Sequence, residues 1–184
     1  VEWFSLEAVS RSPAKFNPEK LQWLNAQYLK QADDNRLAAL ARPFLEKRDC
    51  DLARGPGLDK VMALLKDRAN TIVELADAAM VFYKVLHPAE SLRVEHYSAE
   101  ILPAMKVLRE ALKKTEWTRP ALGACVKAVV TDHGLKMPKL AMPLRVMLAG
   151  SPHTPSIDAV LELIGREEVL RRMDAELAHY PGNA

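Results

Sequence analysis

Apolar residues recur along the chain at intervals of three and four, in segments separated by glycine and proline. In the longest such run, Ile72, Leu75, Ala79, Phe82 and Leu86 are spaced by 3, 4, 3 and 4 positions. This spacing places the side chains on one face of an α-helix, whereas the strict alternation typical of strands is hard to find. We therefore predict an all-α fold, arranged as a compact helical array.

Capping residues indicate where several helices begin. Asn17 followed by Pro18 is typical of a helix start, and Asp33 with Asp34 offers a cap to a helix over 36–46, in which Pro43 predicts a kink. The first of these helices carries an apolar stripe made of Leu21, Leu24, Tyr28 and Leu29. Further helices are predicted from Ser98 to 114, from Thr118 to 134, from Ser156 to 165, and over 166–178.

A proline divides the predicted helices into two groups. His87-Pro88 closes the helix that begins at Ile72, because proline cannot continue a helix and disfavours helical backbone in its predecessor. We place a domain boundary near residue 90. The chain begins with Val1 and not with Met, so we expect a piece of a longer protein.

Charge is balanced overall and uneven locally. The 26 Lys and Arg against 24 Asp and Glu leave a net charge of +2. No carboxylate occurs between Asp132 and Asp158, a window that holds Lys136, Lys139 and Arg145. Such a window indicates a positive patch, although a chance gap on a solvated face explains the charge equally simply. Charge alone does not establish nucleic-acid binding.

The same window contains a loop stiffened by proline. Gly150 can end one helix and Ser156 can begin the next, while Pro152 and Pro155 favour extended backbone before them. A preordered loop loses little entropy on binding, so it can present Thr154 to a partner. The alternative is an ordinary connector.

Other site classes find little support in the sequence. Cys50 and Cys125 stand alone, without the spacing of a zinc site or a disulfide framework. No apolar run approaches the ~18 residues of a membrane span, and no basic leader precedes an apolar stretch. No nucleophile, acid–base pair or metal cluster is evident. We expect a cytoplasmic, monomeric protein that does not associate with a membrane.

Five segments resemble the glutamyl-tRNA synthetase family. FNPEKLQWLNAQYL at 16–29 is similar to the segment that follows the class I signature in that family. EWT at 116–118, PLR at 143–145, TPSI at 154–157 and LIGRE at 163–167 resemble its C-terminal landmarks in the same order. The resemblance spans the whole chain. It implies the end of a stem-contact region at 1–32 and helical anticodon-binding domains at 33–90 and 91–184.

The resemblance also implies which chemistry lies elsewhere. In the family, a preceding catalytic half carries the HIGH-like and KMSKS-like elements that use ATP and Mg²⁺ to activate glutamate. Neither element occurs here, and KMPK at 136–139 is a superficial echo inside the predicted second domain. The chain alone is therefore expected to bind tRNA(Glu) without cofactor and neither to activate glutamate nor to charge tRNA.

Site residues follow from the same resemblance. Arg68 takes the position of an arginine that reads the third anticodon base, and a guanidinium can pair in-plane with a base edge. Arg145, Thr154, Pro155 and Ile157 match residues around the first two bases, although Ile157 also begins the apolar stripe of a helix and fits a core role equally well. Lys136 and Lys139 are expected to contact the tRNA backbone. The alternative function is a helical protein-interaction module that does not bind RNA.

Overall fold

The structure is a computed structural model that describes residues 15–180, and within this range it contains helices and no strands. Val1 lies outside the described residues. The all-α prediction is confirmed. Ten α-helices follow one another: α1 Pro18–Gln31, α2 Asp34–Glu46, α3 Leu58–Leu65, α4 Ile72–Ala79, α5 Glu90–His96, α6 Leu102–Lys114, α7 Arg119–Asp132, α8 Met137–Ala149, α9 Ile157–Ile164 and α10 Arg166–Leu177. Two 3-10 turns, Lys66–Arg68 and Met80–Phe82, follow α3 and α4.

Side-chain caps fix the starts of two helices as the sequence predicts. The backbone N–H of Lys20 donates to Oδ1 of Asn17 at 3.1 Å, and that of Arg36 donates to Oδ1 of Asp33 at 3.0 Å. Each cap satisfies one of the backbone donors that a helix leaves without an internal partner at its first turn. α2 continues through Pro43 to Glu46.

Two boundaries and one cap differ from the predicted ones. The helix predicted over 72–86 ends as α-helix at Ala79 and finishes in a 3-10 turn, so Leu86 lies beyond it. The helix predicted from Ser98 begins at Leu102, with a proline in its first turn, and the short helix α5 precedes it. Ser156 does precede α9, but its hydroxyl accepts a hydrogen bond from Arg119 at 3.3 Å and makes no cap bond.

The apolar stripe predicted on α1 is largely exposed. Leu21 and Tyr28 are 53% and 66% exposed, and only Leu29 of the four predicted positions is buried, together with Ala26. α1 contacts the 3-10 turn that follows α3, so its C-terminal part is the part that packs against the other described helices. The 3.6-residue period is present, but it does not identify a core face here.

Two clusters of buried apolar side chains hold the helices together. The first cluster is built mainly from α2, α3, α4 and the residues up to Tyr83, and the second from Tyr97 through α6, α7, α8 and α10 to Tyr180. They meet at the end of α8, where Leu148 belongs to the second cluster and Ala149 to the first. The division into domains at 33–90 and 91–184 remains a prediction.

A buried carboxylate ties α5 to α10. Glu176 is 4% exposed, and it accepts hydrogen bonds from Arg93 Nε and Nη2 and from the Tyr97 hydroxyl, each at 3.0 Å. Burial by itself would raise the pKa of Glu176. The hydrogen bonds from Arg93 and Tyr97, together with the positive charge of Arg93, outweigh burial and lower the pKa. The ionised carboxylate is therefore the form that the fold stabilises.

This lowered pKa predicts acid sensitivity. A carboxylate whose pKa is depressed by folding contributes stability above its unfolded pKa of about 4.3, and loses it as the pH falls through the folded pKa. Glu176→Gln should lower the free energy of unfolding at pH 7 by about 1–3 kcal/mol and flatten its decline below pH ~4.3. Urea titrations from pH 3 to 7 measure this. Glu167→Gln, at an exposed position of the same helix, is the control, and identical pH profiles for wild type and Glu176→Gln would contradict the prediction.

Candidate nucleic-acid interface

A cavity of about 380 Å³ lies where the first cluster meets the loop between α8 and α9. Part of its wall comes from the end of the first cluster, through Arg68, Asp77 and Val81, and part from the loop, through Thr154 and Pro155. Three of the five predicted anticodon residues therefore share one cavity, although Arg68 lies more than 80 positions before Thr154 and Pro155 in sequence. Its volume is sufficient for a single nucleobase.

Arg68 stands at the rim of this cavity as the last residue of the 3-10 turn Lys66–Arg68. The side chain is exposed, and within residues 15–180 no hydrogen bond or ion pair engages its guanidinium. The turn follows directly on α3, whose buried Leu65 anchors it in the first cluster. The backbone is thus fixed while the five N–H donors remain available for a ligand.

The loop from Gly150 to Ser156 is held by backbone geometry at its start. Gly150 ends α8 in the left-handed region, with φ 64° and its N–H donated to the Val146 carbonyl at 2.9 Å. A Cβ at this position would lie 2.9 Å from the Leu86 carbonyl oxygen. Glycine is thus required twice, for its φ and for the close approach.

Thr154 and Pro155 are the buried members of this loop. Thr154 is 9% exposed, and its hydroxyl donates to the carbonyl of Pro155 at 3.1 Å. The N–H of His153 donates to the Ser151 hydroxyl at 3.2 Å. Arg119 on α7 donates to Ser156 at 3.3 Å and to Asp158 at 3.2 Å, which ties the start of α9 to α7. The prolines thus act together with side-chain contacts that order the loop.

Arg145 and Ile157 do not line the cavity. Arg145 lies on α8 and is half-buried; its Nη1 approaches the Met142 sulfur at 3.9 Å, and its buried Nε has no hydrogen-bond partner among the described residues. Ile157 opens α9 and packs, half-buried, against the second cluster. Its position therefore fits the core role that the sequence left open, and a role at a base remains a prediction.

Lys136 and Lys139 lie at the other end of α8. Both are exposed, and they border a separate cavity of about 370 Å³ together with Glu95 and His96. Exposed ammonium groups at a helix start can approach phosphate, because the backbone N–H groups there also favour negative charge. The two lysines are thus separate from the cavity that holds Arg68.

Asp77 is a cavity residue that the sequence analysis did not single out. Its Oδ1 lies 2.5 Å from Nη2 of Arg48, and Arg48 also donates to the Phe44 carbonyl at 2.9 Å. Arg48 follows the end of α2 and Asp77 lies on α4. They are 29 positions apart and carry no local motif, so their pairing is seen only in the folded chain. The carboxylate gives the cavity an acceptor beside the donors of Arg68.

The described residues contain no group of three or more His, Cys, Asp or Glu side chains placed to hold a metal ion. Cys50 is buried and Cys125 half-buried, and both are free thiols. Burial raises the pKa of Cys50, with smaller opposing contributions from Lys84 and Arg48. None of the described helices is long and apolar enough to cross a bilayer.

A comparison with known protein families identifies the family to which this chain belongs. The sequence model described as "Anticodon binding domain" matches residues 36–177, which is most of the chain. The chain belongs to the anticodon-binding domain family. The match covers most of both apolar clusters, the turn with Arg68 and the loop with Thr154 and Pro155.

Relatives and solved structures agree with this membership. The chain is 58% identical to the glutamate–tRNA ligase of Nitrosospira multiformis and 55% identical to that of Thiobacillus denitrificans, over 98% and 96% of its length. It spans 39% and 38% of those relatives. The crystal structure of a glutamate tRNA ligase from Elizabethkingia meningosepticum shares the fold, with a TM-score of 0.82 at 24% identity over 95% of this chain and 35% of that one. The predicted resemblance to glutamyl-tRNA synthetases is confirmed.

Proposed function

We propose that this chain is the C-terminal part of a cytoplasmic glutamate–tRNA ligase and that it recognises the anticodon of tRNA(Glu). The observation that carries the proposal is the cavity in which an unpaired arginine from the first cluster meets the loop of Thr154 and Pro155. Membership of the anticodon-binding domain family supports the partner class. The names of the relatives support the choice of glutamate tRNA.

Each cavity residue has a chemical part in this proposal. Arg68 donates in-plane hydrogen bonds to the edge of the third anticodon base. Thr154 offers a hydroxyl and backbone groups to a neighbouring base, and Pro155 offers an apolar surface on which a splayed base can pack. Arg145 and Ile157 are proposed to act near the first two bases from outside the cavity. Lys136 and Lys139 bind the phosphate backbone and carry no sequence information.

The activity of the parent ligase is a proposal that rests on the family resemblance. We propose that the parent uses ATP and Mg²⁺ to attach glutamate to tRNA, through the catalytic region that the family resemblance implies. The residues described here supply recognition, and no step of the attachment is assigned to them. The protein-interaction alternative has no comparable support, because the family match concerns anticodon binding.

Titration with tRNA tests the proposal directly. A labelled tRNA(Glu) should bind saturably, and affinity should fall as salt rises because phosphate contacts release counterions. Lys136→Ala and Lys139→Ala should weaken binding of tRNA(Glu) and of an unrelated tRNA by the same factor, and each should reduce the salt slope. Binding that is absent, or equal for every tRNA in the wild type, would reject anticodon recognition.

A further inference from the structure

Arg172 on α10 is a buried arginine that joins three segments of the fold. It is 4% exposed, and its Nη1 donates to the Val81 carbonyl at 2.9 Å and to the Leu148 carbonyl at 2.6 Å. Its Nε donates to Oε1 of Glu168, one turn earlier on α10, at 2.6 Å. Burial lowers the pKa of Arg172 while Glu168 opposes this change, and a guanidinium remains charged in proteins.

The two carbonyls that it binds stand at the ends of helical segments. Val81 lies in the 3-10 turn after α4, and Leu148 lies in the last turn of α8. The final carbonyls of a helix have no donor within the helix and carry partial negative charge. Two such ends meet here, one in each apolar cluster. The positively charged Arg172 guanidinium donates to both carbonyls. It thereby satisfies them and offsets their mutual repulsion.

The same two segments form walls of the cavity that Arg68, Thr154 and Pro155 share. Val81 itself lines the cavity, and so does Ala149, the residue after Leu148. The loop with Thr154 begins at the next residue, Gly150. Arg68 lies on the opposite side of the cavity, which the first cluster forms. Arg172 therefore joins the turn after α4, in the cluster that also anchors the turn of Arg68, to the end of α8, where the loop with Thr154 begins. It does not itself line the cavity.

We propose that Arg172 is a positioning residue that fixes the end of the first cluster against the end of α8, so that Arg68 and Thr154 face one cavity. Its part in recognition rests on the proposed function, whereas its effect on the relative position of the two clusters does not. Arg172 touches neither base nor phosphate in this proposal. It acts through the carbonyls of Val81 and Leu148.

Arg171 provides a matched control next to it in sequence. Its Nε and Nη2 each donate to Glu168 at 2.7 Å, yet the side chain is exposed and contacts neither carbonyl. Arg171→Met and Arg172→Met remove the same charge and a bond to the same carboxylate. Only Arg172→Met also removes the hydrogen bonds to the Val81 and Leu148 carbonyls, which link the two clusters.

The first measurement needs no tRNA. Two nitroxide labels report the distance between the clusters, in a Cys50→Ala, Cys125→Ser background. One is attached at Lys47→Cys, at the end of α2, and the other at Lys127→Cys, on α7; both positions are exposed. Double electron–electron resonance should give a narrow distribution for wild type and Arg171→Met, and a shifted or broadened one for Arg172→Met. Circular dichroism at the same temperature confirms that each variant is folded. A distribution unchanged in folded Arg172→Met would overturn the proposal.

Arg172→Lys serves if the methionine variant does not fold. An ammonium keeps the charge but lacks the planar fork that reaches Glu168 and both carbonyls together. The lysine variant should therefore shift or broaden the distribution in the same direction. A distribution identical to wild type in folded Arg172→Lys would count against the proposal, because charge alone would then suffice.

The second measurement examines recognition. A double-mutant cycle with Arg68→Ala and Thr154→Val should show coupled losses of tRNA(Glu) affinity, of about 5-fold or more, in the Arg171→Met background. The coupling should disappear in the Arg172→Met background. Persistent coupling there would refute the positioning role. Failure of the wild type to bind tRNA would reject the proposed function, and the distance measurement would still decide the position of the clusters.

Discussion

Replacing Arg68 by Ala should reduce the affinity for tRNA(Glu) by about 1–3 kcal/mol, the range expected for a base-reading arginine. The cause is the loss of donors aimed at one base edge, so the preference for C over G at the third anticodon position should shrink as well. Wild type and variant are titrated at fixed salt with two tRNAs that differ only at that base. Because Arg68 is exposed and unpaired within the described chain, its replacement should leave the fold intact.

Arg145→Ala is the comparison for this experiment. It removes an arginine that does not line the cavity, so it should weaken binding while leaving the preference between C and G nearly unchanged. A C-over-G preference that survives in Arg68→Ala would reject the assignment of Arg68 to the third base. Anticodon binding as such would then have to rest on the other cavity residues.

Gly150→Ala should be strongly destabilising. The left-handed backbone costs a non-glycine residue about 1–2 kcal/mol, and the new methyl group would press on the Leu86 carbonyl oxygen, for which overpacking adds about 1–3 kcal/mol. Chemical denaturation with both far-ultraviolet circular dichroism and fluorescence gives the free energy of unfolding. The loss should extend to tRNA binding, since the loop of Thr154 begins at this residue.

Gly134 provides a control with the same backbone and open space. Its φ is 62°, close to the 64° of Gly150, but a Cβ there would meet nothing within 4 Å. Gly134→Ala should therefore cost only the conformational part. Equal losses in the two variants would show that the contact with Leu86 contributes nothing.

Local signals in the sequence account well for the helices and poorly for where some of them end. Asn17 and Asp33 act as caps because a cap needs only neighbours three residues away. The helix from Ile72 turns to 3-10 geometry at Met80, a change that the spacing of apolar residues does not record. The exposed Leu21 and Tyr28 show the converse limit, since periodicity identifies a face but not what packs on it.

The cavity could be predicted only in part. Arg68, Thr154 and Pro155 follow from the family resemblance, and the structure places them together. Asp77 and Arg172 could not be found this way, because each acts through a partner distant in sequence. Arg172 binds carbonyls at Val81 and Leu148, and a backbone acceptor leaves no trace in the residue types. Such contacts become visible only when the chain is folded.

The environment of Trp117 gives the chain an optical reporter in contact with α9, the helix whose Val160 lines the cavity. Its indole N–H donates to the Leu161 carbonyl of α9 at 3.2 Å, and the Arg166 guanidinium lies 5.4 Å from the ring centroid. With Trp3→Phe and Trp23→Phe, emission would come from this indole alone. Since α9 begins directly after the loop of Thr154, binding of tRNA(Glu) should change the intensity or wavelength of that emission, and denaturant should shift it to the red. A fluorescence titration without any attached dye would then follow tRNA binding through the surroundings of this indole.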